Sequence, residues 1–352
     1  MKKVLALSLT VAMVVGLVTG CGSAGGERNS AETETQTQAT EAAGDQAPET
    51  EAAETQAEAA EAGDGESYKI GVLQLTEHAA LDAANEGFVA ALDEAGLNYT
   101  IDQQNAQNDQ SACQTIAEKL VNDGNDLILA IATPAAQAVA GVTSDIPVLV
   151  TAVTDPADAG LVESNEVPGN NISGTSDLTP VNEQIELLTK LLPDAKKVGI
   201  LYCSAESNSE FQANMAQEAC SAAGLEAEVF TVSSSNEIQQ VVESMVGKVD
   251  AIYTPTDNTI AAGMATVAMV ANDNGLPTIC GEEGMVDAGG LATYGIDYYQ
   301  IGYMAGQQAV DILTNGADVS QMPIGYLSAD QCALKTNQET ADTLGVDLSV
   351  LE

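Results

Sequence analysis

The feature that most constrains this chain is an internal duplication. KIGVLQL at 69–75 is answered by KVGILYC at 197–203, and DEAGL at 93–97 by SAAGL at 221–225, both 128 positions later. Further on, DLILAIATPA from 126 is answered by DAIYTPTDN from 250, and IPVLVT from 146 by LPTICG from 276. Four landmarks in the same order require two similar folding units, each far longer than a solenoid repeat.

Each unit alternates short β-branched runs with amphipathic, Ala-rich segments. YKIGVLQL is followed by HAALDAANEGFVAALDEAGL, where Leu81, Ala84, Phe88, Ala91 and Leu92 fall at helical spacing and Gly96 supplies a left-handed stop. LILAIA is apolar at every position, as a strand covered by helices on both faces must be. The fold class predicted is α/β: two similar Rossmann-like lobes joined by hinge strands, with a ligand cleft between them. The first lobe is expected over 68–175 and 296–325, the second over 176–295 and 326–352. Hinges are expected near 173–179, 295–297 and 324–326.

Ahead of the lobes, MKKVLALSLTVAMVVGLVTGC has two lysines, an apolar run too short to span a bilayer, and small residues before Cys21. It reads as a lipoprotein signal peptide over 1–20, with Cys21 the site of lipid attachment. The mature protein would then be lipid-anchored on the extracytoplasmic face. The segment 21–67 is acidic and lacks any aliphatic residue larger than Ala, so a disordered tether is expected. As a flexible coil it would span roughly 35 to 40 Å.

Charge and single-residue counts remove whole classes of function. With 52 Asp and Glu against 10 Lys and Arg, the net charge of -42 excludes a nucleic-acid partner. One His, one Arg (Arg28, in the tether) and no Trp leave no His-based metal site and no Arg fork for a carboxylate. The five cysteines after Cys21 lack a C-x-x-C pair and are expected to be mostly buried thiols. No G-x-G-x-x-G follows the first strand, and there is neither a P-loop nor a G-x-S-x-G elbow. No catalytic residue, cofactor or metal is expected.

In open parallel sheets, ligands bind beyond the carboxyl ends of the strands. The segments there are TEHAALD, TPAAQ, TAVTDP and SGTSDL in the first unit, and CSAESNSE, TPTDN, CGEEG and YGIDYY in the second. Without an Arg, a ligand carboxylate must be held by hydroxyls and helix N-termini, for which Thr76, Thr133, Ser204, Ser207 and Thr256 are placed. An ammonium needs a carboxylate, and Asp257 and Asp297 each follow a strand-like run. Glu77, His78, Pro134, Thr154, Asp155, Asn208 and Asn258 complete the candidate contacts. Tyr202, Tyr253 and Tyr294 are the candidate apolar wall. Structural roles compete: Asp155 as a turn cap before Pro156, Asp257 as the cap of a helix from Asn258, His78 as lobe-edge packing. Asp177 reads as a helix cap ahead of LTPVNEQIELLTKLL, and Glu282 and Glu283 as solvated.

The blocks GVLQLTEHAALDAANEGF, AIATPAAQAVA, TAVTDPADAGLV, ISGTSDLTPVNEQIELL, AIYTPTDNTIA and LATYGIDYYQIGYMAGQQAVDIL together resemble the type I periplasmic substrate-binding proteins. The nearer resemblance is to the TrpX-like, aromatic amino-acid-binding lipoproteins of ABC importers, and it covers the chain from Tyr68 onward. It implies a monomeric, hinged receptor that closes on a small amino acid-like ligand and delivers it to ABC permease subunits. The alternatives are the same fold carrying a nucleoside, sugar or signalling molecule, and a lipid-anchored enzyme.

Overall fold

The computed structural model describes residues 67–328 and 331–351. The signal peptide, Cys21 and almost all of the expected tether therefore lie outside the described residues. The first sheet is built from β1 (Tyr68–Gln74), α1 (Ala79–Glu94), β2 (Tyr99–Asn105), α2 (Gln110–Asn122), β3 (Leu127–Ile131), α3 (Thr133–Ala140), β4 (Val148–Val153) and β5 (Ile172–Ser176). Its strands are parallel in the order β2-β1-β3-β4-β5. β3 is buried at every residue, as its unbroken apolar run requires. α1 turns Leu81, Ala84, Phe88, Ala91 and Leu92 into the core and stops at Gly96, whose φ is +66°.

The second sheet repeats the plan. It takes in α4 (Val181–Leu191), β6 (Lys197–Cys203), α5 (Ser207–Ala222), β7 (Glu226–Val232), α6 (Ile238–Met245) and β8 (Ala251–Thr254). It continues with α7 (Asn258–Ala262), α8 (Met264–Asp273), β9 (Thr278–Cys280), α9 (Glu283–Asp287) and β10 (Ala292–Gly295). β7-β6-β8-β9-β10 is the same 2-1-3-4-5 order as in the first sheet, so the sequence repeat is a repeat of topology. After α10 (Tyr298–Asn315), β11 (Ala333–Thr336) adds an antiparallel edge beside β10, and α11 (Gln338–Leu344) follows. Apolar clusters lie on both faces of the second sheet, and Cys113, Cys203, Cys220 and Cys280 are buried thiols within the cores.

The chain passes between the sheets three times. It leaves the first after Ser176, returns between Gly295 and Tyr298, and crosses again beyond Gly325. The first and third passages run side by side: Gly325 N donates to Gly174 O (2.8 Å) and Ser176 N to Gly325 O (2.9 Å). α10 follows β10 in sequence yet packs on α1 of the first sheet. Its approach is so close that a Cβ on Gly302 would stand 1.8 Å from Ala84 O, which only glycine allows. α10 is thereby fixed to the first lobe, and its first residues sit at the mouth between the lobes.

Candidate ligand-binding cleft

The carboxyl ends of both sheets converge on a tight, partly open cavity of about 10 Å³. The first lobe contributes His78 and Leu81 from the start of α1, and Tyr298 from the start of α10. The second contributes Thr256, Asp257, Asn258 and Ala261 around α7, and Glu282 and Met285 around α9. Asp177, in the first passage between lobes, completes the lining, which contains three carboxylates and no Lys or Arg.

These three carboxylates are used differently. Asp257 caps α7: its Oδ1 accepts from Ile260 N (2.7 Å) and its Oδ2 from Cys203 N (2.6 Å). Burial and the neighbouring Glu206 carboxylate push its acid well up from the usual range. Glu282, expected to be solvated, is instead 3% exposed and caps α9 through Met285 N (2.8 Å) and Gly284 N (2.5 Å), and burial pushes it up to about 7. Both side chains are spent on orphan N–H groups of short helices.

Asp177 is the exception. α4 begins at Val181 with Pro180 at its N-cap position and no side-chain cap, so the reading of Asp177 as that helix's cap is corrected. It is 4% exposed and is met by neutral donors, Thr154 Oγ1 to Oδ1 (3.1 Å), Tyr298 OH to Oδ2 (2.8 Å) and its own backbone N–H. Burial pushes it up to about 6 against the pull of those hydrogen bonds. Thr154 is held in turn by Gln212 Nε2 (3.1 Å), which also donates to Thr256 Oγ1 (2.6 Å). Asp177 is thus a positioned carboxylate at the hinge with no cation beside it.

Asp297, expected to meet an ammonium, is exposed and caps α10 through Gln300 N (3.2 Å); its neighbour Tyr298 is the residue turned inward. Asp155 caps its own turn, accepting from Ala157 N (3.0 Å) and Asp158 N (3.1 Å). Glu77, Ser204 and Ser207 are exposed, Ser204 donating to Val232 O (3.2 Å). Thr76, Thr133, Pro134 and Asn208 are buried and do not line the cavity. Thr133 Oγ1 and Asn208 Oδ1 have no partner. The expected tyrosine wall is also corrected: Tyr253 is buried in the second-lobe core, donating to Gln184 Oε1 (2.8 Å), and Tyr202 and Tyr294 pack against that core. Leu81, Ala261 and Met285 form the apolar wall, with Tyr298 its aromatic member.

His78 Nε2 lies 3.2 Å from Asn258 Oδ1, across the cleft, which places its proton on Nε2 and leaves Nδ1 as an acceptor without a partner. Burial lowers its pKa, so the imidazole is neutral at pH 7. His78 also stands at the N-cap position of α1 without capping it. The first turn of a 16-residue helix therefore opens at the cavity with no acidic cap, unlike α7 and α9.

The family profile described as ABC transporter substrate binding protein matches residues 69–350. The chain belongs to this family of substrate-binding proteins. It is 45% identical over 279 residues to a tyrosine-binding protein of Clostridioides difficile strain R20291, covering 78% of this chain and 80% of that relative. Among solved structures it resembles an ABC domain in complex with L-Trp from Streptococcus pneumoniae, at 40% identity and a TM-score of 0.78, over 81% of this chain and 98% of that one. It also matches the ligand-free, open structure of a substrate-binding protein with adhesive properties from Clostridium difficile, at 45% identity and a TM-score of 0.62, over 80% and 95%. The higher identity goes with the lower structural agreement. Substrate-binding proteins of this family work on the extracytoplasmic side with the permease of an ABC transporter.

Proposed function

We propose that this substrate-binding protein captures an aromatic L-amino acid, tyrosine or tryptophan, between its lobes. The observation that carries the reading is Asp177, a buried carboxylate met by neutral donors and placed between the lobes. A ligand ammonium is the charge that this group lacks, and pairing within the closed cleft returns the cost of its burial. The uncapped first turn of α1 is the complementary place for the ligand carboxylate, since its N–H groups and dipole favour an anion. Leu81, Ala261 and Met285 would pack the ring, Met285 through its polarisable sulfur. The names of the tyrosine-binding and tryptophan-complexed relatives support the same ligand class.

Closure would take place about the three passages between the lobes, with ligand contacting both sides only when they are shut. A lipid on Cys21, through an acidic tether, would hold the receptor at the membrane beside the permease. The absence of Trp from the sequence gives a direct test. Excitation selective for indole yields no protein signal, so added L-tryptophan should report its own capture by a change in emission. L-tyrosine should then displace it. If calorimetry detects neither amino acid, the ligand class proposed is wrong.

A further inference from the structure

A second set of contacts joins the lobes outside the cavity. Asn108, in the turn between β2 and α2, donates through Nδ2 to Thr259 Oγ1 on α7 at 2.9 Å. The Thr259 hydroxyl donates onward to Glu206 Oε1 (2.8 Å), so its own hydrogen is committed and its lone pairs are left for Asn108. Glu206 is 3% exposed and stands at the N-cap position of α5 without capping that helix. Its side chain reaches α7 instead, accepting from Thr259 N (2.9 Å), Asn258 N (3.2 Å) and Asn258 Nδ2 (2.6 Å). The carboxylate therefore orients two consecutive α7 residues, and each faces a first-lobe partner: Thr259 meets Asn108, and Asn258 meets His78.

The first-lobe side is equally specific. Gln107 and Asn108 have φ of +53° and +62°, two successive non-glycine residues in the left-handed region. Three hydrogen bonds fix the turn: Gln107 N to Asn105 Oδ1 (2.7 Å), Asn108 N to Leu75 O (2.8 Å) and Asp109 N to Ala106 O (3.0 Å). The conformation aims Asn108 at the opposing lobe. Neither Asn108, Thr259 nor Glu206 lines the cavity.

We propose that Asn108 and Thr259 form a ligand-independent latch, oriented by Glu206, that holds the lobes shut and sets how fast a captured ligand escapes. The relay from amide to hydroxyl to carboxylate ends on a charge, which strengthens each bond in the chain. Because the latch holds the closed arrangement whether or not the cleft is filled, it slows the reopening that a captured ligand needs in order to leave. This rests on reading the cleft as a hinged receptor site.

The test is stopped-flow binding of L-tyrosine to the full chain and its variants. Asn108→Ala and Thr259→Val should each raise the dissociation rate about five- to tenfold, the worth of one neutral hydrogen bond, with association no slower than in wild type, since fewer ligand-free molecules are shut. Thr259→Ser keeps the hydroxyl and should retain the wild-type rate. The double variant should be no faster than Thr259→Val alone, since the same inter-lobe bond is lost in all three and the Thr259–Glu206 bond lies within one lobe. Unchanged dissociation in both single variants, additive effects, or Thr259→Ser behaving as Thr259→Val would overturn the latch. Inter-lobe distances from paired spin labels in ligand-free protein separate this from the identity of the ligand. Asn108→Ala should lower the closed fraction whether or not L-tyrosine binds, and identical distributions in wild type and variant would overturn the proposal.

Discussion

AIATPAAQ at 130–137 and AIYTPTDN at 251–258 share a strand end and a Thr-Pro pair, yet they turn into their helices differently. In the first lobe α3 begins at Thr133, directly after β3, and Ala132 takes φ +83° to make the corner. In the second lobe the chain runs past the matching Thr254 and Pro255, and α7 starts at Asn258 behind Asp257. The cause is the residues available to cap a helix. Asp257 and Glu206 between them take the N–H groups of Asn258, Thr259 and Ile260, so the second helix is well capped where it starts. Their first-lobe positions hold Ala136 and His78, which offer no such cap, and the helix begins early on a strained alanine. A carboxylate at a strand mouth is therefore first a candidate for the helix that follows. The carboxylate left over for a ligand is the one in the passage between lobes, Asp177.

That contrast can be broken by experiment. Asp177→Asn should keep the fold and cost at least about 100-fold in affinity for L-tyrosine or L-tryptophan, since losing one member of a buried ion pair costs about 3–5 kcal/mol. Asp297→Asn, at an exposed cap, should stay within about twofold in the same calorimetric titration. Asp257→Ala should act on stability, lowering it by about 1–2 kcal/mol in urea unfolding through the lost cap. Affinity should respond to pH through Asp177. In ligand-free protein its acid stands at about 6, and an ammonium favours the ionised form, so binding below that pH must expel a proton. Affinity should fall at least about tenfold between pH 7.5 and pH 5, and Asp177→Asn should reduce the dependence to what the neighbouring Glu282 and Asp257 contribute. The smallest effect is at the first-lobe corner. Ala132→Gly should raise stability by up to about 1 kcal/mol by relieving the positive φ, partly offset by the freer unfolded chain.

The duplication, the α/β class and the buried character of β3 were legible in the sequence because they rest on periodicity and on landmarks repeated in order. The site was legible only in part. His78, Thr256, Asp257 and Asn258 do line the cavity, since strand-end position alone brings them there. Asp177 was misread because the Ser-Asp-Leu-Thr-Pro string looks like a cap. The signal lay in Pro180, which sets the helix start at Val181 and leaves Asp177 too far upstream to serve it. Asp297 and Tyr298 show the reverse: adjacent residues at a helix start point to opposite sides, and the aromatic one faces in. Glu282 was hidden because its burial depends on α1 of the other lobe coming close, as the packing of Gly284 near Ala79 shows. Contacts made between lobes leave no local pattern.

The central claim, that Asp177 waits for the ammonium of an aromatic amino acid, is tested most directly from the ligand's side. L-tyrosine and 3-(4-hydroxyphenyl)propionate differ only in that ammonium, and both can be titrated into the same protein by calorimetry at pH 7.5. The account predicts that L-tyrosine binds and that its des-amino analogue loses at least about 100-fold in affinity. Equal affinity for the two would contradict it.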